Sequence, residues 1–464
     1  MKPSPFAFSL LLLLAAARAE AEEDAPASQE PAAAAVQPTG FVFGSYGRVT
    51  ASTDGEGGSG KQLAVVAHPP RLEEQPYLEL DLSYHAAEPD YGRFRIVTTL
   101  AVSDAMFHSD GDFDGKIALR NAFVEARELG VEDLSVWVGS RMLRGDDIYL
   151  LDFWPLDNLN TVGAGAAWGA PGKTRLSGHL GLNQVDNSFQ YQEIQVADPE
   201  FGTDPVILMD RVRLIGSLRA EQPVEVGGLQ GKVVGYGEVH RLGEGVSEDS
   251  ERVRRLMPAE LGTTVGLQAA VWGFGERGFA NLFVRHATGI AALGELATPT
   301  SGLAMDGSVT DTTSTRIATS AGFGAGRFDL IAGGYVDWFS DADSVNYDGD
   351  DYYEGTLALR PSYRVAGGYK QAFEFSYQGH RSNGLSPRTD TFLVPAMFKA
   401  AVIPTLAAGA GPFARPELRL VYEVSVLNDG AQEQYPAEDV RRRGAIHHYL
   451  GIGAEWWFNS STYP

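Results

Sequence analysis

Tyr77-Leu78-Glu79-Leu80-Asp81-Leu82-Ser83-Tyr84 alternates polar and apolar side chains without a break. Successive side chains of a strand point to opposite faces. Leu78, Leu80, Leu82 and Tyr84 therefore share one face, and Tyr77, Glu79, Asp81 and Ser83 share the other. The same period recurs near the C-terminus. Leu420, Tyr422, Val424 and Val426 oppose Arg419, Glu423 and Ser425, and Leu450, Ile452, Ala454, Trp456 and Phe458 oppose Tyr449, Glu455 and Trp457. Two-residue alternation dominates from Phe41 onward and yields about 18 segments of roughly 9–14 residues, long enough to cross a hydrocarbon core as tilted strands. The eighth of them is read at 206–219, and the last three at 390–404, 413–426 and 446–458.

The connections alternate long and short. Long ones fall at 53–75, 144–159, 185–205, 242–260, 289–312 and 427–445; short ones at Ala87–Asp90, Leu129–Val131, Pro171–Lys173, Gly275–Glu276 and Ala366–Gly368. The rhythm blurs at 382–389 and 405–412. A soluble sandwich has no reason to gather its long loops at one end, whereas a closed antiparallel transmembrane barrel has. Closure is compulsory, because hydrocarbon cannot satisfy a free backbone N–H or C=O. About 18 strands leave room for a water-filled interior. The expected fold is thus all-β: a transmembrane antiparallel β-barrel with long outer loops and short periplasmic turns.

Residues 1–19 read as a signal peptide: Lys2, an apolar stretch from Ser9 to Ala17, and the small-x-small site Ala17-Arg18-Ala19. Cleavage is expected after Ala19, with Ala21 as the alternative. Residues 20–39, rich in Ala, Pro and Glu, read as a disordered tether, and 40–464 as the barrel. The net charge of −23 argues against nucleic acid, which needs a basic surface, and suits a passage for neutral or cationic solutes. With no cysteine, disulfide scaffolds, thiolate metal sites and thiol catalysis are excluded. The 54 glycines favour turns and sheet over long helices.

The segment from Val136 to Asp157, VWVGSRMLRGDDIYLLDFWPLD, resembles the maltoporin family of sugar-specific porins. So do Gly44-Ser45-Tyr46-Gly47-Arg48, Arg71-Leu72 ahead of Tyr77-Leu78-Glu79, Gly278-Phe279, Arg360-Pro361, Arg415-Pro416 and the final strand, all in matching order. The likeness spans nearly all of 40–458. It implies an 18-stranded, homotrimeric outer-membrane barrel whose third loop folds inward as a constriction. It also implies an aromatic slide for sugars, flanked by a polar track. Carried over residue by residue, the slide is Tyr46, Tyr77, Phe279 and Trp457, with Phe113 one position out of register and Tyr352 (or Tyr353) as a further rung. Alternation puts Tyr46, Tyr77, Phe279 and Trp457 on the polar side of their strands. The track is Arg48, Arg71, Glu79, Arg120, Arg144, Asp147, Asp152 and Asp157, with Asp146 competing for the place of Asp147. Trp154 stands where the family has a constriction tyrosine. Such a path suits sugars, whose rings stack on flat apolar surfaces while carboxylates and guanidinium groups exchange hydrogen bonds with their hydroxyls.

Other patterns carry less. Residues 55–61 imitate a phosphate loop, but Gln62 stands where Ser or Thr should be and no helix follows; an outer loop is expected. Asp110-Gly111-Asp112-Phe113-Asp114 imitates half a calcium loop, but the twelfth position is Asn121 rather than Glu; no resident metal or cofactor is expected. The adjacent His447 and His448 face opposite sides of a strand. No nucleophile motif suggests an enzyme. The expected function is sugar diffusion through the barrel. The rival readings are a general or differently selective porin, and a non-conducting structural or adhesive barrel. N-terminal sequencing of the exported protein should begin at Glu20, or at Glu22 if cleavage follows Ala21; retention of Met1 would contradict the signal-peptide reading.

Overall fold

The computed structural model describes residues 39–460, except 89–91, 105, 112–114, 171, 184–190, 198–202, 210, 250, 298, 300–301, 344–350 and 387–388. The expected signal peptide and Phe113 therefore lie outside the described residues. The strands begin with β1 (Gly40–Thr53), β2 (Tyr77–Glu88), β3 (Gly92–Ser103), β4 (Lys116–Arg127), β5 (Leu134–Arg144), β6 (Asn158–Trp168) and β7 (Arg175–Asn183). There follow β8 (Tyr191–Ala197), β9 (Thr203–Met209), β10 (Arg213–Val226), β11 (Leu229–Leu242), β12 (Gly245–Glu248), β13 (Arg254–Met257), β14 (Glu260–Phe274) and β15 (Gly278–Gly289). The chain finishes with β16 (Thr313–Ala325), β17 (Phe328–Ser340), β18 (Tyr352–Ala366), β19 (Tyr369–Ser382), β20 (Ala396–Ala407), β21 (Glu417–Leu427) and β22 (Ile446–Phe458).

All but β8, β9, β12 and β13 form one 18-stranded sheet. Each strand pairs antiparallel with the next in the ring, β7 passing to β10 and β11 to β14. The ring shuts where β1 meets β22, Tyr46 opposite Trp457 and Arg48 opposite Glu455. Closure leaves no edge, so the ladder satisfies the backbone through the hydrocarbon depth.

The side chains are distributed inside out. Leu82, Leu218, Leu282, Leu357 and Ile452 are at least half exposed on the outer face, while Glu79, Thr99, Gln268, Gln378 and Glu455 are fully buried on the inner one. In water this would be costly. Facing lipid, the apolar face needs no cover, and the inner polar groups find partners among themselves. Tight turns at Gly227–Gly228, both with positive φ, and at 367–368 mark the inner-membrane-facing end.

Two expectations shift. The eighth membrane strand is 213–226, not 206–219. The apolar run 206–209 belongs to β9, which pairs with β8 and β12 in a separate four-stranded sheet, β13-β12-β9-β8. Thus 185–205 and 242–260 are not plain connections. The blurred pair also resolves: 383–395 is an outer loop and 408–416 a long turn at the opposite end, so the next strand starts at Glu417 rather than 413.

One irregularity matters for the interior. Thr99 faces Asn121 and Leu100 faces Leu119, leaving Arg120 as the extra residue of a β-bulge. Arg120 and Asn121 consequently both serve the inner face. Asn121 accepts from Met142 N at 2.9 Å and donates to Thr99 Oγ1 at 3.0 Å.

Leu282→Arg should destabilise the barrel in lipid vesicles by about 2–4 kcal/mol, the cost of a cation at mid-bilayer depth. Leu256→Arg, in the separate sheet, should change it by less than about 0.5 kcal/mol. Urea titration in vesicles checks both; equal effects would contradict the lipid-facing assignment.

Candidate functional site

Two outer loops enter the lumen. The segment 145–157 leaves β5 and packs Ile148, Leu150, Leu151, Phe153 and Leu156 against Val234, Phe283, Ala318, Ile331 and Tyr335 of the far wall. Glycines on that wall admit it: a Cβ at Gly333 would lie 2.3 Å from Ile148, and one at Gly266 2.4 Å from Leu156. Asp146 ties the segment to β11 and β14, through Lys232 at 2.9 Å and Gln268 at 2.5 Å. This is the inward constriction that the resemblance implied.

The second inward loop, 62–76, was not expected. Ahead of it, 54–58 is an exposed tight turn closed on the Asp54 carboxylate, and 62–76 crosses to β17, β18 and β19. Val65 N donates to Gln378 (3.2 Å), Ala67 N to Glu354 (3.0 Å) and His68 N to the Tyr335 hydroxyl (3.1 Å). The His68 ring stacks on Phe153 at 3.7 Å, joining the two loops. Arg71, only 1 % exposed, donates to the Tyr46 hydroxyl (2.6 Å) and to Glu455 (2.9 Å). Tyr149 donates to the other Glu455 oxygen at 3.0 Å. Glu455 thus holds both loops to the final strand, a fully buried carboxylate surrounded by Arg71, Arg415 and Arg419. Removing one partner of such a lattice is far costlier than forming it is favourable.

Outside these loops lies a cavity of about 640 Å³. Tyr77, Tyr352 and Trp154 supply aromatic surface, Tyr46 at the lining being nearly covered; Arg48, Arg120, Arg144 and Asp152 supply charge. Tyr77 sits between the guanidinium groups of Arg48 (5.3 Å) and Arg120 (5.7 Å), and its hydroxyl donates to Glu79 at 2.6 Å. Arg120 reaches both Tyr77 and Glu79. Arg144 lies 4.0 Å over the Trp154 ring and donates to Asn158 at 2.7 Å. Arg48 pairs with Asp152 at 3.4 Å and Glu74 at 3.0 Å. A family model for the LamB porins matches residues 41–458.

The chain belongs to the LamB porin family. It is a multi-pass β-barrel of the outer membrane. No curated protein sequence matches it. Among solved structures, it is similar to OccAB1 of Acinetobacter baumannii (11 % identity, TM-score 0.49, covering 93 % of this chain and 99 % of that one). It is also similar to Pseudomonas aeruginosa OpdK solved with vanillate (12 %, 0.42, 90 % and 98 %), and to OmpT of Vibrio cholerae (11 %, 0.43, 91 % and 99 %).

In this LamB porin the sequence-derived residues do not all meet in one place. Tyr46, Tyr77, Tyr352, Trp154, Arg48, Arg120, Arg144 and Asp152 meet at the outer cavity; Tyr353 instead faces outward beside Arg381. Phe279 and Trp457 lie toward the periplasmic end, on the other side of Tyr149. Tyr46 is only 2 % exposed, because Arg71 and the second inward loop cover it. Arg71 and Glu79 are buried beneath the cavity wall. Asp157 is buried beside Arg219 at 3.4 Å, and it is Asp146, not Asp147, that makes the cross-lumen ion pair. Alternation could not find Tyr149, Phe153 and His68, which lie in loops. Phe339, stacked on Tyr352 at 5.1 Å, is on the inner face of β17 and was legible by parity but passed over. Arg285 and Arg316 also line the cavity, together with Glu238, Glu295 and Asp337, so the acidity of the whole chain is not concentrated there.

Among the loop groups with displaced titrations are His68 and Asp147. Burial holds the His68 imidazole down to about 4, and Arg316 acts in the same sense, so the ring stacked on Phe153 is neutral at physiological pH. Burial pushes the Asp147 carboxyl up to about 7, and Asp152 adds to the push. A raised folded pKa makes the native state the stronger proton binder. Its favourable contribution is complete below the unfolded value of about 3.9 and is lost as pH climbs through about 7. Asp147→Asn should therefore leave the detergent-phase Tm nearly unchanged at pH 4 and raise it at pH 8; a lower Tm at pH 8 would contradict the assignment.

Proposed function

We propose that this porin conducts sugars by facilitated diffusion, maltodextrin-like oligosaccharides being the first candidates. The observation that carries the reading is the outer cavity itself, where flat aromatic surface and guanidinium–carboxylate pairs line one space. Pyranose rings stack through their C–H faces on Tyr77, Trp154 and Tyr352, each contact worth about 0.5–1.5 kcal/mol. Hydroxyls exchange water for Arg48, Arg120, Arg144 and Asp152. Phe279 and Trp457 continue the slide toward the periplasm. Modest, repeated contacts let a solute both enter and leave. Trp154 in place of a tyrosine brings more ring area and no hydroxyl, which shifts selectivity toward stacking. In this reading the barrel is a non-enzymatic, homotrimeric channel with sugar solutes and outer-membrane lipid as its partners.

A differently selective porin is the second reading. Five arginines (48, 120, 144, 285 and 316) line the cavity, and a guanidinium fork suits a carboxylate solute as well as a sugar hydroxyl.

Planar-bilayer recording separates the two. Sugar conduction predicts stepwise ion currents blocked by maltohexaose, and Trp457→Ala should weaken that block by about threefold to tenfold, one stacking contact, with little change in ion current. Currents indifferent to every sugar but blocked by an organic carboxylate would favour the second reading. Absence of any conductance would sink both.

A further inference from the structure

We infer that the outer wall of the barrel carries a binding site for a phosphorylated glycolipid of the outer leaflet, built from Arg381, Tyr353 and Trp338. The inference lies outside the solute path and holds whichever solute crosses.

Strands β15 to β19 place five outward residues at one level. His286 pairs in register with Thr315, Thr315 with Trp338, Trp338 with Tyr353, and Tyr353 with Arg381. Neighbouring strands lie about 4.8 Å apart, so the row is about 19 Å wide. It sits at the loop-bearing end, close to 290–312, 341–351 and 383–395. Trp338 and Tyr353 are nearly half exposed, and His286 and Arg381 are exposed. An interfacial belt accounts for the two aromatic rings on their own. It does not account for the charge beside them.

Charge on these strands is segregated by face. Their carboxylates, Asp329, Asp337, Glu354 and Glu374, are all buried on the inner face. The outer face keeps Arg381, which has no carboxylate partner among the described residues. Its guanidinium is set instead against Tyr353: Nη1 donates to the hydroxyl at 3.2 Å, and Cζ lies 5.9 Å from the ring centroid. Most of its N–H donors are left for an acceptor outside the protein, and the Tyr353 hydroxyl can still donate its own proton. A phosphate fits that fork and hydroxyl. The saccharide ring bearing it would lie on Trp338, flat against an apolar surface. At the far end of the row, His286 Nδ1 lies 2.8 Å from Thr315 Oγ1, a second polar pair facing the headgroup zone.

Below the row the wall is recessed. The next outward positions under Tyr353 and Arg381 are Gly355 and Gly379, register partners without side chains; Leu357 and Tyr377 follow beneath them. A polar head at the row and an apolar recess toward mid-membrane match a lipid rather than a free anion.

The test is native mass spectrometry of the full exported porin in detergent, with folding checked by heat-modifiable migration. The probes are a short-chain lipopolysaccharide, its dephosphorylated form and phosphatidylglycerol. Wild type should bind the phosphorylated glycolipid, and the dephosphorylated form about tenfold more weakly. Arg381→Gln should weaken binding by about tenfold, and Trp338→Leu, which stays apolar toward lipid, by about threefold to tenfold. Arg241→Gln is the control. That arginine also faces outward, on β11, but its register partners are Leu214 and Leu261, and the variant should bind as wild type does. Equal losses in Arg381→Gln and Arg241→Gln would reduce the effect to general charge attraction and overturn the site. Phosphatidylglycerol bound as tightly as the glycolipid, with the same dependence on Arg381, would overturn the saccharide assignment. A change of oligomer mass in Trp338→Leu with lipid binding intact would make the row a contact between copies of the chain instead.

Discussion

Hydrocarbon offers no partner to a peptide N–H or C=O, and that shortage shapes everything else in this porin. Each membrane strand must find two neighbours, so the sheet has to curl until β1 meets β22. Once it has, the side chains have no freedom of choice between faces. The outer one dissolves in lipid; the inner one is left with a wet space too wide to fill with its own residues. The abundance of glycine and the lack of any long apolar helix among the described residues follow from the same constraint.

What fills the inner space is not a hydrophobic core of the usual kind. The wall is lined with carboxylates and arginines, and the two inward loops supply most of the apolar packing. The two kinds of contact divide the labour. Apolar packing of Ile148, Phe153 and Leu156 fixes where the constriction lies. The buried ions around Glu455 fix its register against β22, since a misplaced charge there would be left without a counter-ion. The aromatic and charged side chains that line the cavity are positioned by this plug as much as by the barrel.

The barrel was legible because its signal is repetitive: in β2, β21 and β22 a single residue decides little, and the period decides nearly everything. Parity also put Tyr77, Phe279, Tyr352 and Trp457 on the inner face, where they lie. The failures have a common origin in segments without a period. Residues 62–76 carry no alternation, so their crossing of the lumen could not be read; they are held by backbone donors such as those of Val65 and Ala67, whose availability no side-chain pattern reports. The run at 206–209 is apolar and strand-like, yet it pairs above the membrane, and only the position of its partners distinguishes it from a spanning strand. Phe413 looked like the start of a strand because Pro412 and Pro416 do not announce which side of the turn they belong to. Asp146 and Asp147 could not be ranked from sequence, because the far-wall partner Lys232 is distant in the chain and near only in the fold.

The bulge at Arg120 has a consequence for how such a channel changes over generations. Leu119 and Asn121 would continue an unbroken alternation if Arg120 were absent, so the strand on either side keeps its orientation whether or not that residue exists. A new charge can therefore be added to the passage by inserting one codon rather than replacing a residue, with no reshuffling of what lipid sees. Selectivity in this architecture can drift by lengthening, a route closed to proteins whose strands are packed on both faces.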